Sequence, residues 1–275
     1  MIRKDITLIK HQDDIVEAYL TGSTVPEILQ KYRITHNEFL AIMAAKSAPL
    51  SKKHLSQATI DDDSIIIIGD THIGSKKDNF GYIDQTYSFA ENANIHNVLH
   101  LGDLFQAGIN PVKREYQEPY KQYAYFEKNY PKSNNIKTHV LFGNHDMKLL
   151  EKEDEYLRVL SARKDFNVLG FKRAYLTWGK HLISLYHEIR HYHVNIPNVD
   201  TSIHLEGHRH AFSEKGKTIT VPSLSDDMKH YYGSISEPGF LVARKNGSNI
   251  IMDYLSFEGG KLHNKGIVYE LKKNR

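Results

Sequence analysis

The sequence predicts an α/β protein, a two-sheet β-sandwich flanked by helices, with a small helical domain in front of it. Three observations predict it. Apolar residues recur at helical spacing between Asp13 and Ala45. From residue 64 onward, short β-branched runs are first separated by helix-length segments and later by short turns. Strands that alternate with helices and then follow one another directly build packed sheets with helices outside. At 275 residues the chain suffices for one large domain and an appendage.

Residues 1–47 are read as three short helices. Ile15, Val16, Tyr19 and Leu20 mark the first, Val25, Ile28 and Leu29 the second, and Phe39, Leu40, Ile42 and Met43 the third. Breaks fall at Thr21-Gly22-Ser23 and Arg33-Ile34-Thr35. Ser23 and Thr24 are candidate caps, Pro26 fits a first helical turn, and Thr35 with Glu38 forms a capping box. This pattern resembles a helix-turn-helix of the resolvase or homeodomain-like type. Such a module would set Thr35, His36, Asn37 and Lys46 in the DNA major groove, with Lys31, Arg33, Lys52 and Lys53 on phosphates. Against it, the third helix carries Glu38 and almost no Arg or Lys. The alternative is a bundle that docks on the larger domain or joins two chains as a homodimer.

Residues 48–63 hold Pro49, several Ser and Lys, and Asp61-Asp62-Asp63, and are read as a linker. Strands are expected at 64–69, 97–101, 138–142, 172–177, 181–186, 202–206, 217–221, 239–244 and 249–255, within one domain spanning 64–275. Between Tyr116 and Tyr130 the aromatic spacing is that of a half-buried helix, with Tyr116, Tyr120 and Tyr123 in the core. Lys113, Arg114, Lys121 and Lys128 are left as groove residues, and aromatics among lysines can also stack bases.

Composition narrows the function classes. No apolar run approaches the ~20 residues that cross a bilayer, so no membrane association is expected. The amino terminus lacks an apolar signal region, and a cysteine-free chain fits a reducing cytoplasm. Without thiolates, any metal must be held by His, Asp, Glu or Asn. The net charge of +3 permits nucleic acid without requiring it.

The chemistry lies just past the strands. Ile65–Ile68 runs into Gly69-Asp70-Thr71-His72, and Val98–Leu101 into Gly102-Asp103. His139–Phe142 runs into Gly143-Asn144-His145-Asp146, Leu182–Tyr186 into His187, and Ile203–Glu206 into Gly207-His208-Arg209-His210. Groups so placed collect in the crevice beyond the strand ends. Two Asp, one Asn and four His are too many ligands for one ion. They suit two ions about 3.5–4 Å apart bridged by a carboxylate. Such a pair acidifies water and neutralises charge on a phosphate. His100 and His204, inside strands, are read as packed histidines.

This ordered series resembles the calcineurin-like metallophosphoesterase family from about residue 64 to 210. The resemblance implies its αββα fold, with Asp70, His72 and His210 on one metal and Asn144, His187 and His208 on the other. Asp103 would bridge. His145 would face substrate as general acid or transition-state stabiliser, and Asp146 would accept from its ring and orient it. Arg209 would face away. Where the family often has Gly after the lone His, this chain has Glu188, and His191 or His193 could replace His187.

The phosphoprotein phosphatase branch continues with Asp-Arg after Gly-Asp, whereas here Leu104-Phe105 follow Asp103. That form, with Asp70-Thr71-His72-Ile73-Gly74, looks more like the nuclease and phosphodiesterase branches. The resemblance implies phosphodiester hydrolysis on DNA or RNA, DNA being favoured. The alternatives are a small-nucleotide phosphodiesterase or phosphomonoesterase, and a DNA-binding protein without turnover. Nitrogen and oxygen ligands suit Mn, Fe or Zn better than Mg, and manganese is the expected ion.

Overall fold

Two faces of one isoleucine run explain the layering. In the computed structural model β2 (Ser64–Ile68) turns Ile65 and Ile67 into one apolar cluster and Ile66 and Ile68 into another, so both faces are buried. Strands buried on both sides read as continuous apolar runs, which is why this one does not alternate. The structure describes residues 11–21, 23, 25–35, 38, 39, 42, 43, 56–107, 119–150, 160, 162–171, 173–187, 201–226 and 237–271.

Around β2 lies a seven-stranded sheet. β3 (Asn97–His100), β4 (Lys137–Phe142) and β5 (Phe166–Phe171) extend it in parallel on one side. On the other, β11 (Gly239–Asn246), β12 (Asn249–Glu258) and β13 (Lys261–Leu271) follow antiparallel. A second, six-stranded sheet has the order β1 (Ala58–Ile60), β6 (Arg173–Trp178), β7 (His181–Tyr186), β8 (Ile203–Glu206), β10 (Thr218–Thr220) and β9 (Ser213–Lys215). Leu99, Leu141, Leu176, Trp178, Ile183 and Leu205 fill the space between the sheets. On the far face of the first sheet, α3 (Phe80–Asn92) and α4 (Pro119–Asn129) supply Ile83, Tyr87, Tyr123 and Phe126 to a second core.

The chain has the expected fold class, with strands that the pattern missed. The segment read as a linker contains β1, which pairs with β6 and sets Ile60 beside Trp178. β5, β9 and β13 were not anticipated. Tyr120 is not core: it is 59% exposed, because the apolar stripe of α4 that reaches the sheet is Tyr123 and Phe126, continued by Tyr130. Tyr116, Lys113 and Arg114 lie outside the described residues.

The amino-terminal helices α1 (Gln12–Leu20) and α2 (Val25–Tyr32) pack with Phe39, Ile42 and Met43 against Tyr175 and Leu182 on the outer face of the second sheet. The capping box is present: the Thr35 backbone N–H donates to Glu38 Oε2 at 2.7 Å and the Glu38 N–H to Thr35 Oγ1 at 3.2 Å. Of the residues considered for DNA contact, His36, Asn37, Lys46, Lys52 and Lys53 lie outside the described residues, as does Thr24. Phe39 is fully buried, with its ring 5.5 Å from that of Tyr19. Phe39→Ala should therefore cost the helical unit about 3–5 kcal/mol, seen as early loss of helical circular dichroism in urea. An unchanged midpoint would contradict this packing.

Candidate metal centre

The crevice is built by extending the parallel ladder past the strands. The Asp70 N–H donates to the Gly102 carbonyl at 2.9 Å, His72 N–H to the Asp103 carbonyl at 3.0 Å, and Ile73 N–H to the Leu104 carbonyl at 2.9 Å. The loops after β2 and β3 are thereby locked side by side. From the other sheet, the His208 N–H donates to both carboxylate oxygens of Asp70, at 3.1 and 2.9 Å. Ser223 Oγ holds the Asp70 carbonyl at 2.8 Å.

Two glycines make the close approach feasible. Gly102 has a φ of +100°, and a Cβ there would come within 2.4 Å of His187 Nδ1. A Cβ on Gly143 would sit 2.1 Å from Asp103 Oδ1 and 2.5 Å from the Asp103 nitrogen. His100, fully buried, receives the Gly102 N–H on Nδ1 at 3.2 Å, so its Nε2 carries the proton and meets Thr71 Oγ1 at 3.0 Å. Burial lowers this ring's pKa to about 4 and keeps it neutral. It braces the turn, in keeping with a packed histidine. His204 is half-buried and bonded to Ser184 Oγ.

The sequence-predicted ligands converge. Asp70 Oδ1 lies 3.4 Å from His210 Nε2, and His210 Nε2 lies 3.0 Å from His72 Nε2. Asp103 Oδ2 lies 3.1 Å from His187 Nε2 and 3.8 Å from His72 Nε2, while Asn144 Oδ1 is 3.0 Å from His187 Nε2. Asp103, His187 and His208 form one group of close donor atoms, Asp70, His72 and His210 another. His187 is fully buried and its Nδ1 donates to the Leu101 carbonyl at 2.8 Å, which aims Nε2 at the crevice. Glu188, Arg190, His191 and His193 lie outside the described residues.

A cation fits this donor set. Two imidazole Nε2 atoms face each other at 3.0 Å beside a buried carboxylate, an arrangement that a shared positive ion stabilises. All donors are nitrogen or oxygen. Burial opposes charge on Asp70, but His210, by charge and hydrogen bond, together with His187 outweighs it and lowers that carboxyl to about 2. His72 is pushed well below its ordinary value by burial and then by His210, leaving a neutral ring fit to ligate. His187 goes the other way. Burial disfavours its charge, yet the Asp103 carboxylate prevails and holds the ring protonated, while Asp103 itself is lowered.

One expected role is corrected. The His145 ring bonds through Nδ1 to the Gln106 carbonyl at 2.9 Å. Asp146 instead accepts backbone N–H groups from Leu104 at 3.2 Å, Phe105 at 2.9 Å and Gly143 at 2.9 Å. It fastens the Asp103 loop to the start of α5 (Asn144–Leu150). Burial, then the Asp103 charge, raises its pKa to about 7 against the pull of those donors. Arg209 turns to Glu206, with Nε 3.4 Å from the carboxylate.

A family model described as calcineurin-like phosphoesterase matches residues 64–231. Among solved structures, the chain is similar to vacuolar protein sorting 29 of Cryptosporidium parvum, at 15% identity and TM-score 0.47, covering 77% of this chain and 98% of that one. It is similar to Vps29 complexed with Zn2+ from Entamoeba histolytica, at 16% identity and TM-score 0.40, over 74% and 97% of the two chains. Nuclease MPE of Pseudomonas putida gives 15% identity and TM-score 0.34, over 73% and 86%. At such identities the likeness concerns the fold alone. No curated protein matches the chain.

Two outcomes follow from this geometry. Gly143→Ala should abolish metal binding, since its Cβ meets backbone; unchanged manganese content would contradict the close approach. Because the His187 ring must lose a proton to ligate, manganese binding to metal-stripped protein should release at least one proton, and affinity should fall with falling pH. Calorimetry in buffers of different ionisation enthalpy checks this; identical heats would count against it.

Proposed function

This chain belongs to the calcineurin-like phosphoesterase family, and from that premise we propose that it is a two-metal phosphodiesterase acting on nucleic acid. The observation that carries the proposal is a chain of donor groups through one buried carboxylate: Asp103 groups with His187 and His208 on one side and with His72 and His145 on the other. His72 groups in turn with Asp70 and His210. Asp70, His72 and His210 would hold one ion and Asn144, His187 and His208 the other, with Asp103 between them. When bound, such ions bring the pKa of water to roughly neutral and balance charge on phosphate oxygens. Manganese is the ion we propose.

The chain's own groups handle orientation and protons. His145 donates its Nδ1 proton to the Gln106 carbonyl, so Nε2 is the ring atom directed inward, 3.9 Å from Asp103 Oδ2. A proton on Nε2 can pass to the leaving oxygen of the ester or support charge on a non-bridging oxygen. The His145 N–H donates to Asp103 Oδ1 at 2.8 Å, so the ring's carrier and the bridging carboxylate move together. The side chain of His145 is 18% exposed, enough to meet a substrate while Asp103, His72 and His187 stay buried.

Two features favour a diester within a polymer. The positions after Asp103, where a phosphatase would place its phosphate-gripping Arg, are Leu104 and Phe105, both fully buried. Exposed lysines line the ligand loops: Lys76 and Lys77 follow the His72 loop, and Lys148 lies one turn beyond His145. Cations flanking the scissile bond engage the phosphates on either side.

Metal-stripped protein should cleave labelled DNA or RNA only after manganese is added. His145→Ala should lower turnover about 100-fold or more while keeping both ions; loss of both ions would defeat its assigned role. Asp103→Ala should lose metal. Hydrolysis of small phosphate esters without polymer cleavage would move the substrate to small nucleotides or monoesters. Tight duplex binding without any product would instead indicate a binding protein.

A further inference from the structure

Among the described residues, four large apolar side chains are conspicuously exposed: Leu20, Tyr120, Phe171 and Ile267. The two aromatic ones sit at the ligand end of the first sheet. Phe171 ends β5 and is the cross-strand partner of Phe142, two residues before Asn144. It is 44% exposed. Its ring rests on that of Phe142 at 5.5 Å, tilted by 44°, so it is held while much of its surface faces solvent. Tyr120 occupies the first turn of α4. Gln122, two residues on, accepts the Ala107 N–H at 3.1 Å and fills the space above Gly74. That ties the turn of Tyr120 to the loops carrying Asp103 and His72.

We propose that Phe171, with Tyr120 as a second platform, stacks an unpaired base beside the metal centre, making single-stranded nucleic acid or a frayed duplex end the substrate. This rests on the nuclease reading above and narrows it. Aromatic rings and cations together are what sequence-tolerant single-strand sites use; Lys121 lies over the Tyr120 ring, and Lys76, Lys77 and Lys148 are exposed next to the ligand loops. Phe171 is backed by Phe142 and the Tyr120 ring has the Lys121 ammonium 5.9 Å from its centroid, so a flat aromatic ligand with an anionic backbone suits both. A base within a duplex has both faces covered by its neighbours. An unpaired base offers a face to Phe171, whereas a blunt duplex exposes only its terminal pairs.

The test compares Phe171→Ala, Phe171→Tyr and Phe171→Trp on a short single-stranded DNA, the same sequence as RNA, and a blunt duplex. Phe171→Ala should raise KM for the single strand about tenfold, with kcat within about twofold and full metal content. The Tyr and Trp variants should restore KM. In a second readout, metal-stripped Phe171→Trp should show tryptophan quenching by oligo(dT) or oligo(U) and far less by the blunt duplex. The preferred polymer is the one giving the larger quench. An unchanged KM, absence of quenching, or loss of metal in the Ala variant would overturn the role of Phe171 alone. Wild-type protein that hydrolyses bis(p-nitrophenyl) phosphate but neither cleaves nor binds oligonucleotide would overturn this inference and the nuclease reading together.

Discussion

Asp103 is a carboxylate with 1% of its surface exposed, and the centre is organised around keeping it charged there. Moving such a group out of water is costly unless opposite charge and hydrogen-bond donors replace the solvent. The His145 N–H takes Oδ1, and His187 approaches Oδ2 from the other sheet. The two glycines at 102 and 143 let backbone come close enough to complete the shell. Remove the carboxylate and the buried His187 ring loses the charge that keeps it protonated. Geometry on both sides of the crevice thus depends on one side chain.

The backbone bears a related constraint. Asp70, His72, Asp103, His208 and His210 all have φ between 47° and 70°, in the left-handed region. Non-glycine residues are uncommon there, and each costs on the order of 1 kcal/mol or more. Five of the proposed ligands share this conformation because each must turn its side chain back across the strand end. The extended ladder between the 70–73 and 102–104 segments offsets part of that strain, and Asp146 offsets more by collecting three N–H groups. A carboxylate three residues from Gly143 serves the fold of the loop as much as the chemistry beside it.

Much of the centre was legible in the sequence because its residues follow strands that announce themselves: Ile65–Ile68 and Val98–Leu101 are dense β-branched or leucine runs ending in glycine. The Thr35–Glu38 box was legible for the same reason, as local chemistry with fixed spacing. What was hidden depended on distant partners. β1 has three residues and exists through pairing with β6. β5 holds Asn167 and Gly170 and a register shift against β4, so its pattern is broken. β13 is largely exposed and lacks apolar alternation. Spacing also could not reveal that Asp146 faces the backbone while Gln106, through its carbonyl, holds His145. Phe171 escaped notice because the strand that carries it did.

The proposed ligands divide between the two sheets. Asp70, His72, Asp103 and Asn144 follow strands of the seven-stranded sheet, whereas His187, His208 and His210 follow strands of the other. Asp70 and His210 meet across 140 positions of sequence, a span whose closure is entropically slow to achieve. During synthesis the first half of the donor set emerges well before the second. A nascent chain therefore presents Asp70, His72 and Asp103 as an open half-cage, and the cage shuts only when β7 and β8 dock. An ion held by both halves would act as a rivet between the sheets, adding to stability only once both are in place.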